Sequence, residues 1–447
     1  MATPSAVTAQ YSNALISTFD FHKPEKRDIL YRKYGDQGLE FFKMFDKLGF
    51  SSPVAQQDYS HFEEDWIWVP VHSRAAVASP GTGNAIQFTL ATYDLDSGNR
   101  FFIALNDNVM FANQVTGTVT AVNVTTPSAP VITVRPHQST DNIGALAADD
   151  TIIIYSNDWA EGTSQPAGKV ARYIEYSFNT KIVKETNTYT GSEATNQTWV
   201  IKTSDGQSIP AMFMKGQLDT DYRMALRMNG AMLFDRTTTD TTLLASGNRT
   251  TQGLVPWVRG GGNVDQYNAG FYSMADFDIQ NRVLDQNFAP SEEVAMLGFD
   301  LQTEWENLFV NSFVNGAIVY AMFGEGKKAT DLSIGFNSFN KNERQWHIKR
   351  MSGFNNPQIY GATGYKIPGM GVIMPIDGRK DPKSGNILPS IGQRYKSLGD
   401  YNRRMKTWLT GGAKAVTSQT DADELNMRSE FGTEFVASNR FYLLEQN

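Results

Sequence analysis

Five histidines, His22, His61, His72, His137 and His347, are the side chains with which this chain could hold a metal or move a proton near neutral pH. His61 and His72 stand near Glu63, Glu64 and Asp65, a grouping that invites a metal reading. The spacing matches none of the usual ligand patterns, and satisfied or solvated histidines are the better reading. His347, between Trp346 and Ile348, reads as a structural residue of a strand. The 47 acidic residues supply many carboxylate pairs from which a glycosidase's acid and base could be drawn, but nothing selects one pair. Gly260-Gly-Gly-Asn263 is not a dinucleotide fingerprint, lacking a preceding strand, the Gly-x-Gly-x-x-Gly spacing and a following helix, and it reads as a mobile loop. The segment 324–330 lacks the Gly-x4-Gly-Lys-Ser/Thr spacing of a phosphate loop and reads as a lysine-bearing loop. No catalytic, cofactor-binding or metal-binding residue is therefore assigned, no cofactor is expected, and the chain is read as a non-enzyme.

What remains is the chemistry of surfaces. Arg394, Tyr395, Lys396, Arg403, Arg404, Lys406 and Trp408 interleave charge with aromatic rings, as single-stranded nucleic-acid sites and arginine-rich protein interfaces both do. The chain carries a formal charge of −7, which favours the protein interface. The charge is unevenly spread. Between Gly81 and Gln165 eight acidic residues face only Arg100 and Arg135, whereas Lys341 to Lys414 carries a net +10. Such asymmetry can join copies of the chain head to face or present a positive surface to a polyanion.

The elements that must position these groups are those of a core-forming chain. Of its 447 residues 40% are hydrophobic, 19% charged and 12% aromatic, a composition suited to buried surface and large interfaces. Cysteine is absent, which excludes disulfides and fits a reducing compartment. The start, MATPSAVTAQYSN, has no basic region followed by an apolar run, so no signal peptide is expected, and no apolar run is long enough to span a membrane. Asn-x-Ser/Thr matches at Asn123, Asn196 and Asn248 are read as chance.

Taken in order, the first twenty residues read as an arm, and Leu39, Phe42 and either Met44 or Phe45 as a short helix seam. Trp66 to Ala75 reads as a strand, with Pro70 favouring an edge. From about Gly81 to Ala167, strand-like pieces at 115–122, 131–134 and 151–155 imply a small all-β insert, a compact barrel or a hairpin with a β lobe. A sugar-binding β module is the functional alternative there, disfavoured because no aromatic cluster stands at strand spacing. Tyr173 to Val183 and Tyr189 to Thr203 read as strands feeding a long helix, Ser208 to Asp235, which Ser208 can cap and Pro210 can open. Its apolar stripe is Leu218, Tyr222, Ala225, Met228 and Met232, with Arg223, Arg227 and Asn229 turned to water or a partner. Gly216 and Gly230 mark either a kink or a close contact. Thr251 to Trp257 reads as an edge segment, Met274 to Gln286 and Leu301 to Phe313 as helices, Ala317 to Phe323 as helix or strand, and Leu332 to Phe339 with Gln345 to Met351 as paired strands. Tyr365 to Ile376 is broken strand material before the basic loop Asp377 to Lys383, and Phe431 to Leu444 is two strand pieces about Ser438-Asn439 that must close a sheet.

This order, with IPAMFMKGQLDTDYRMALRMNGAMLFD, FDLQTEWENLFVNSF, SIGFNSF, WHIKR and EFGTEFVASNRFYLLE, resembles the major capsid proteins of tailed double-stranded DNA bacteriophages, whose fold herpesviruses share, and most closely those of crAss-like gut bacteriophages. The resemblance implies an α+β fold with an N-terminal arm and short helix over 1–56, and a strand leading into an extended loop over 57–80. An inserted small all-β domain or enlarged extended loop follows over 81–167. A peripheral domain over 168–300 carries the spine helix 208–235, the axial domain and connecting segments take 301–430, and the closing C-terminal strand of the peripheral region is 431–447. It further implies a shell subunit assembling into pentamers and hexamers around double-stranded DNA, contacted without sequence specificity, with portal, scaffold and auxiliary or decoration capsid proteins as partners and no membrane. Such a subunit belongs to the virion capsid and assembles in the host bacterial cytoplasm. Two other classes stay open: another phage structural protein such as a tail-sheath or tube component, and a carbohydrate-active enzyme with a β accessory domain.

Overall fold

The computed structural model describes residues 29–30, 39–48, 51–64, 66, 68–96, 98–166, 168–169, 173–195, 202–203, 212–314, 338–362, 366–376, 379–380, 387–388, 390–412 and 417–447. The arm, the Ser208 cap with Pro210, the 317–323 segment, the 324–330 loop and most of the 377–383 loop lie outside them. The chain divides into two compact units, one of residues 61–176 and one of 1–60 with 177–447. Helix and sheet are mixed, as an α+β reading requires.

The 61–176 unit is built on one antiparallel sheet in the order Val71–His72, Thr151–Asn157, Asp107–Met110, Thr116–Asn123, Val131–Pro136 and Ile86–Thr89. Its two edges meet. Ser73 bridges Leu90, the Arg74 amide donates to the Thr89 carbonyl at 2.8 Å, and the Ala91 amide donates to that of His72 at 2.9 Å. The sheet thus closes into a compact barrel without free edges. Alternation explains its filling: Ile86 and Phe88, Ile132 and Val134, and Ile152 and Ile154 are buried at every second position. Bulges in register at Asn108/Val109 and Val119/Ala121 supply local curvature. The expected strand from Trp66 to Ala75 shrinks to Val71–His72, because Pro70 has no amide to give a ladder and Trp68 spends its indole N–H on the Ile154 carbonyl, 2.7 Å away.

In the other unit the Ala422–Phe435 strand pairs with Lys181–Thr190 over ten residues on one side. On its other side lie Lys406–Gly411 and Ile391–Leu398, with Ser51–Val54 parallel beyond the latter. The helix Met212–Phe234 packs on Lys181–Thr190 and is unbroken, about 35 Å long. Both its glycines serve close contacts. A Cβ at Gly216 would lie 2.4 Å from the Asn187 amide nitrogen, and one at Gly230 would lie 3.0 Å from the Tyr360 hydroxyl. Thr220, Met224, Ala225, Met228, Ala231, Met232 and Leu233 are buried, a wider face than the expected stripe. Asn229, expected to face water or a partner, is fully buried. Its Oδ1 accepts the Phe42 amide at 2.9 Å and its Nδ2 donates to the Tyr360 hydroxyl at 3.3 Å.

A second, mixed sheet runs Asn263–Tyr267, Tyr442–Gln446, Gly371–Pro375, Glu292–Leu297, Arg344–Arg350 and Ser338–Lys341. The helices Met274–Gln286 and Phe299–Val314 bury Phe277, Trp305 and Phe309 against Phe339, Trp346 and Ile373. Phe277 and Trp305 meet edge to face at 4.7 Å. The last strand is interior, parallel to Asn263–Tyr267 and antiparallel to Gly371–Pro375. Three further readings need correction. The Thr251 to Trp257 edge segment is the entry to a helix, Leu254–Gly261, and the triple glycine is its end and not a loop. A side chain at Gly262 would meet the Ser438 carbonyl at 2.7 Å, so glycine lets the 438–440 turn close on the helix. In the Tyr189 to Thr203 stretch the described residues after Thr190 begin a short helix, Gly191–Thr195.

Burial pushes the Tyr360 phenol up to about 12 from 10.0, Asn229 opposing part of that rise. The raised value means the folded state holds this proton more tightly, so the contribution is complete below pH 10 and is lost as pH rises from there through about 12. Urea midpoints should therefore fall above about pH 10, and Tyr360→Phe should flatten that fall while leaving neighbouring tyrosines to titrate. An unchanged slope in the variant would refute the assignment.

Candidate functional site

The histidines do not converge. His61 Nε2 lies 3.0 Å from Glu63 Oε1, and His72 Nδ1 lies 2.9 Å from Asp94 Oδ1, whose other oxygen accepts the His72 amide. His137 is held between the Thr116 and Thr118 hydroxyls, both at 2.9 Å. His347 sits in the Arg344–Arg350 strand opposite Val294 and Ser338, and His22 lies outside the described residues. Among the described residues no three acidic, histidine or cysteine side chains group as metal ligands.

The basic 341–414 stretch divides into cations spent inside the fold and cations left at a surface. Arg344 is buried, with Nη1 donating to Glu293 Oε1 at 3.0 Å and Nη2 2.5 Å from Asp285 Oδ1. Lys341 Nζ lies 2.7 Å from Asp278 and donates to the Met274 carbonyl, holding the Asp278 carboxyl below its ordinary range. Arg394 pairs with Glu434 and Arg403 with Glu430. Four members of the apparent surplus therefore hold strands and helices together.

Of the others, Lys396, Arg404 and Lys406 lie on or between the strands Ile391–Leu398, Tyr401–Asn402 and Lys406–Gly411. Arg404 lies over the Tyr395 ring at 5.7 Å, and Arg428, from the neighbouring strand, over Trp408 at 5.3 Å. Arg428 also donates to the Tyr401 hydroxyl at 3.1 Å. Leu398, Tyr401, Met405 and Trp408 are exposed, Leu398 by 73%. Rings already covered by guanidinium groups are poor platforms for bases, whereas exposed apolar groups beside fixed cations suit contact with another protein. Sequence spacing found Tyr395, Arg404 and Trp408 of this patch and missed Arg428 and Tyr401 together with Leu398 and Met405, which lie beside the Gly399 turn and in the loop before Lys406. Gly399 has φ +55° and Met405 φ 45°, left-handed backbone that sequence spacing did not disclose.

Removing Arg344 leaves Glu293 buried without its cation. Arg344→Met should cost about 3–5 kcal/mol in urea unfolding, and adding Glu293→Met should restore part of that loss. Losses that simply add would show the two charges to be uncoupled.

No protein-family model matches the chain, and no curated protein matches its sequence. Among solved structures, the chain is similar to the capsid of the cyanophage P-SCSP1u, with 12% identity, 66% of this chain and 81% of that chain covered, and a TM-score of 0.37. Microbacterium phage Oxtober96 gives 9% identity over 98% and 100% of the two chains at a TM-score of 0.44. The encapsulin of the holo-SrpI complex from Synechococcus elongatus gives 9% identity over 62% and 77% at 0.34. At TM-scores this low the likenesses carry no argument about what the chain is.

Proposed function

We propose that this protein is a shell-forming capsid subunit of a tailed double-stranded DNA bacteriophage, related to the major capsid proteins of crAss-like phages. The observation that carries the reading is the placement of large exposed apolar side chains on separate parts of both units. Phe62 and Tyr173 are 69% and 63% exposed on the strands Asp58–Glu64 and Tyr173–Asn179, which pair with each other, and Leu398 and Tyr401 are exposed on the basic hairpin. Phe271, before the helix Met274–Gln286, is 80% exposed. Several distinct apolar surfaces on one chain fit a subunit buried by several neighbours and fit poorly with an enzyme that buries one substrate. The resemblance of the spine-helix, strand and closing segments points the same way.

In this reading the barrel is carried on the extended loop, the long helix belongs to the peripheral domain, and 301–430 supplies the axial domain. Pentamers and hexamers close the shell around DNA held by non-specific electrostatics, aided by a scaffold and a portal. A tail-sheath or tube component is the second reading within the same class, and helical tubes in place of closed shells would favour it.

The test is expression of the chain with and without residues 1–30, and with Leu398→Glu, read by negative-stain electron microscopy and mass photometry. Closed shells or capsomers are expected from the full chain and fewer from the truncation. Leu398→Glu should change unfolding stability by no more than about 0.5 kcal/mol, because the side chain is exposed, yet lower the assembled fraction. A monomer insensitive to concentration, truncation and this substitution would overturn the proposal.

A further inference from the structure

The barrel unit carries a cleft of about 730 Å³ that the shell reading does not use. It is lined by residues far apart in sequence, including Trp68, Phe102, Asp107, Asn157, Trp159 and Lys169. Its volume falls within the roughly 300–1,000 Å³ of small-ligand sites. Trp68 is 56% exposed yet held in orientation by its indole bond to Ile154 and by Phe102, whose ring meets it edge-on at 5.4 Å. Phe102 is itself covered by Lys169, whose Nζ stands 4.1 Å from the ring centroid. The same ammonium lies 3.0 Å from Asp107 Oδ2, and that carboxylate, 8% exposed, also accepts the Ala104 amide at 2.8 Å.

From this geometry we infer that the cleft binds a short neutral oligosaccharide. Its charges are already spent on each other, so an anionic or cationic ligand would have to break the Asp107–Lys169 pair, whereas a neutral one would not. An exposed, oriented indole offers a flat apolar face to the C–H face of a sugar ring. Hydroxyl groups need donors and acceptors beside that face, and the exposed Asn157 amide provides both. The Trp159 Nε1 is enclosed and has no hydrogen-bond partner among the described residues, a donor whose desolvation a sugar hydroxyl would offset. The inference is independent of shell assembly, since every group named lies in the 61–176 unit.

The experiment applies the full chain to an array of gluco-, manno-, galacto- and N-acetylglucosamine-terminated neutral oligosaccharides with sialylated and sulfated counterparts, followed by calorimetric titration of the best-retained sugar. Retention of neutral members is expected, with Trp68→Ala weakening binding at least about tenfold, the equivalent of 1.4 kcal/mol. Trp159→Phe keeps a ring in place and removes only the donor, so it should weaken binding without unfolding the barrel, as far-UV circular dichroism would verify. The inference is overturned if no sugar is retained, if only the charged counterparts are, if neither variant weakens the binding, or if a proline-rich peptide occupies the cleft in place of sugar.

Discussion

The arrangement of the larger unit depends on a buried amide in the middle of its longest helix. Asn229 is fully enclosed, and a primary amide in that position costs several kcal/mol unless its hydrogen bonds are supplied by the protein. Its oxygen takes the Phe42 amide, one of the orphan donors in the first turn of the helix Glu40–Leu48, so a side chain 187 residues away completes that helix's beginning. Its nitrogen reaches the Tyr360 hydroxyl, which in turn donates to the Leu226 carbonyl on the long helix itself at 3.2 Å. The requirement that all these groups be paired at once fixes rotation and height together, which apolar packing alone does loosely. The neighbouring Gly230 leaves room for that phenol, and Phe234 meets its ring edge-on at 5.2 Å.

The helix so placed lies on a strand that is itself subordinate to another. Ala422–Phe435 is fourteen residues long and holds Lys181–Thr190 on one side and two successive strands on the other. Acids along it are matched by cations from its neighbours, the buried Glu430 by Arg403 and the partly buried Glu434 by Arg394. Glu185, facing the helix from the outer strand, meets Arg223 and Arg227. These pairs are inside or at the rim of the unit. The excess of positive charge in 341–414 is thus in part a structural reserve, which is why a sum of formal charges overstated the basic surface.

Much of this was legible because one physical signal dominated locally. Met274–Gln286 shows helical spacing with Ser273 and Asp276 at its start, the Ser273 amide donating to the Asp276 carboxylate at 2.7 Å, and the expected bounds match. The three threonine-rich strands of the barrel read correctly from alternation and turn residues, whereas of the strand expected from Leu332 to Phe339 only 338–339 are described, and it runs on to Lys341 before turning at Asn342-Glu343. Legibility failed where tertiary contact decides. Leu254–Gly261 is too short for periodicity to separate helix from strand, and Gly261 and Gly262 at its end meet Ser438, which arrives from the other end of the chain. Asn229 looked like a surface residue because nothing local announces Phe42 or Tyr360. Trp68, Phe102 and Trp159 come from three loops, so no strand spacing could display them as a cluster.

Barrel closure has a further consequence for where recognition can sit. An open sheet bearing exposed aromatics at its edge invites pairing with any other strand, and proteins present at high local concentration suffer most from that liability. In the 61–176 unit the Ser73–Leu90 bridge removes the edge, so backbone groups are satisfied before any aromatic is displayed. Trp68 can then be exposed on a loop, fixed by an indole hydrogen bond and an edge contact with the half-buried Phe102, without offering a template for strand addition. The larger unit solves the same problem differently, by burying its C-terminal strand in a sheet interior and placing exposed rings on a hairpin studded with arginine and lysine. Charge on that hairpin discourages indiscriminate association, and a complementary surface is needed to overcome it. Specific contact is thereby set by side chains while the sheets supply the rigid frame.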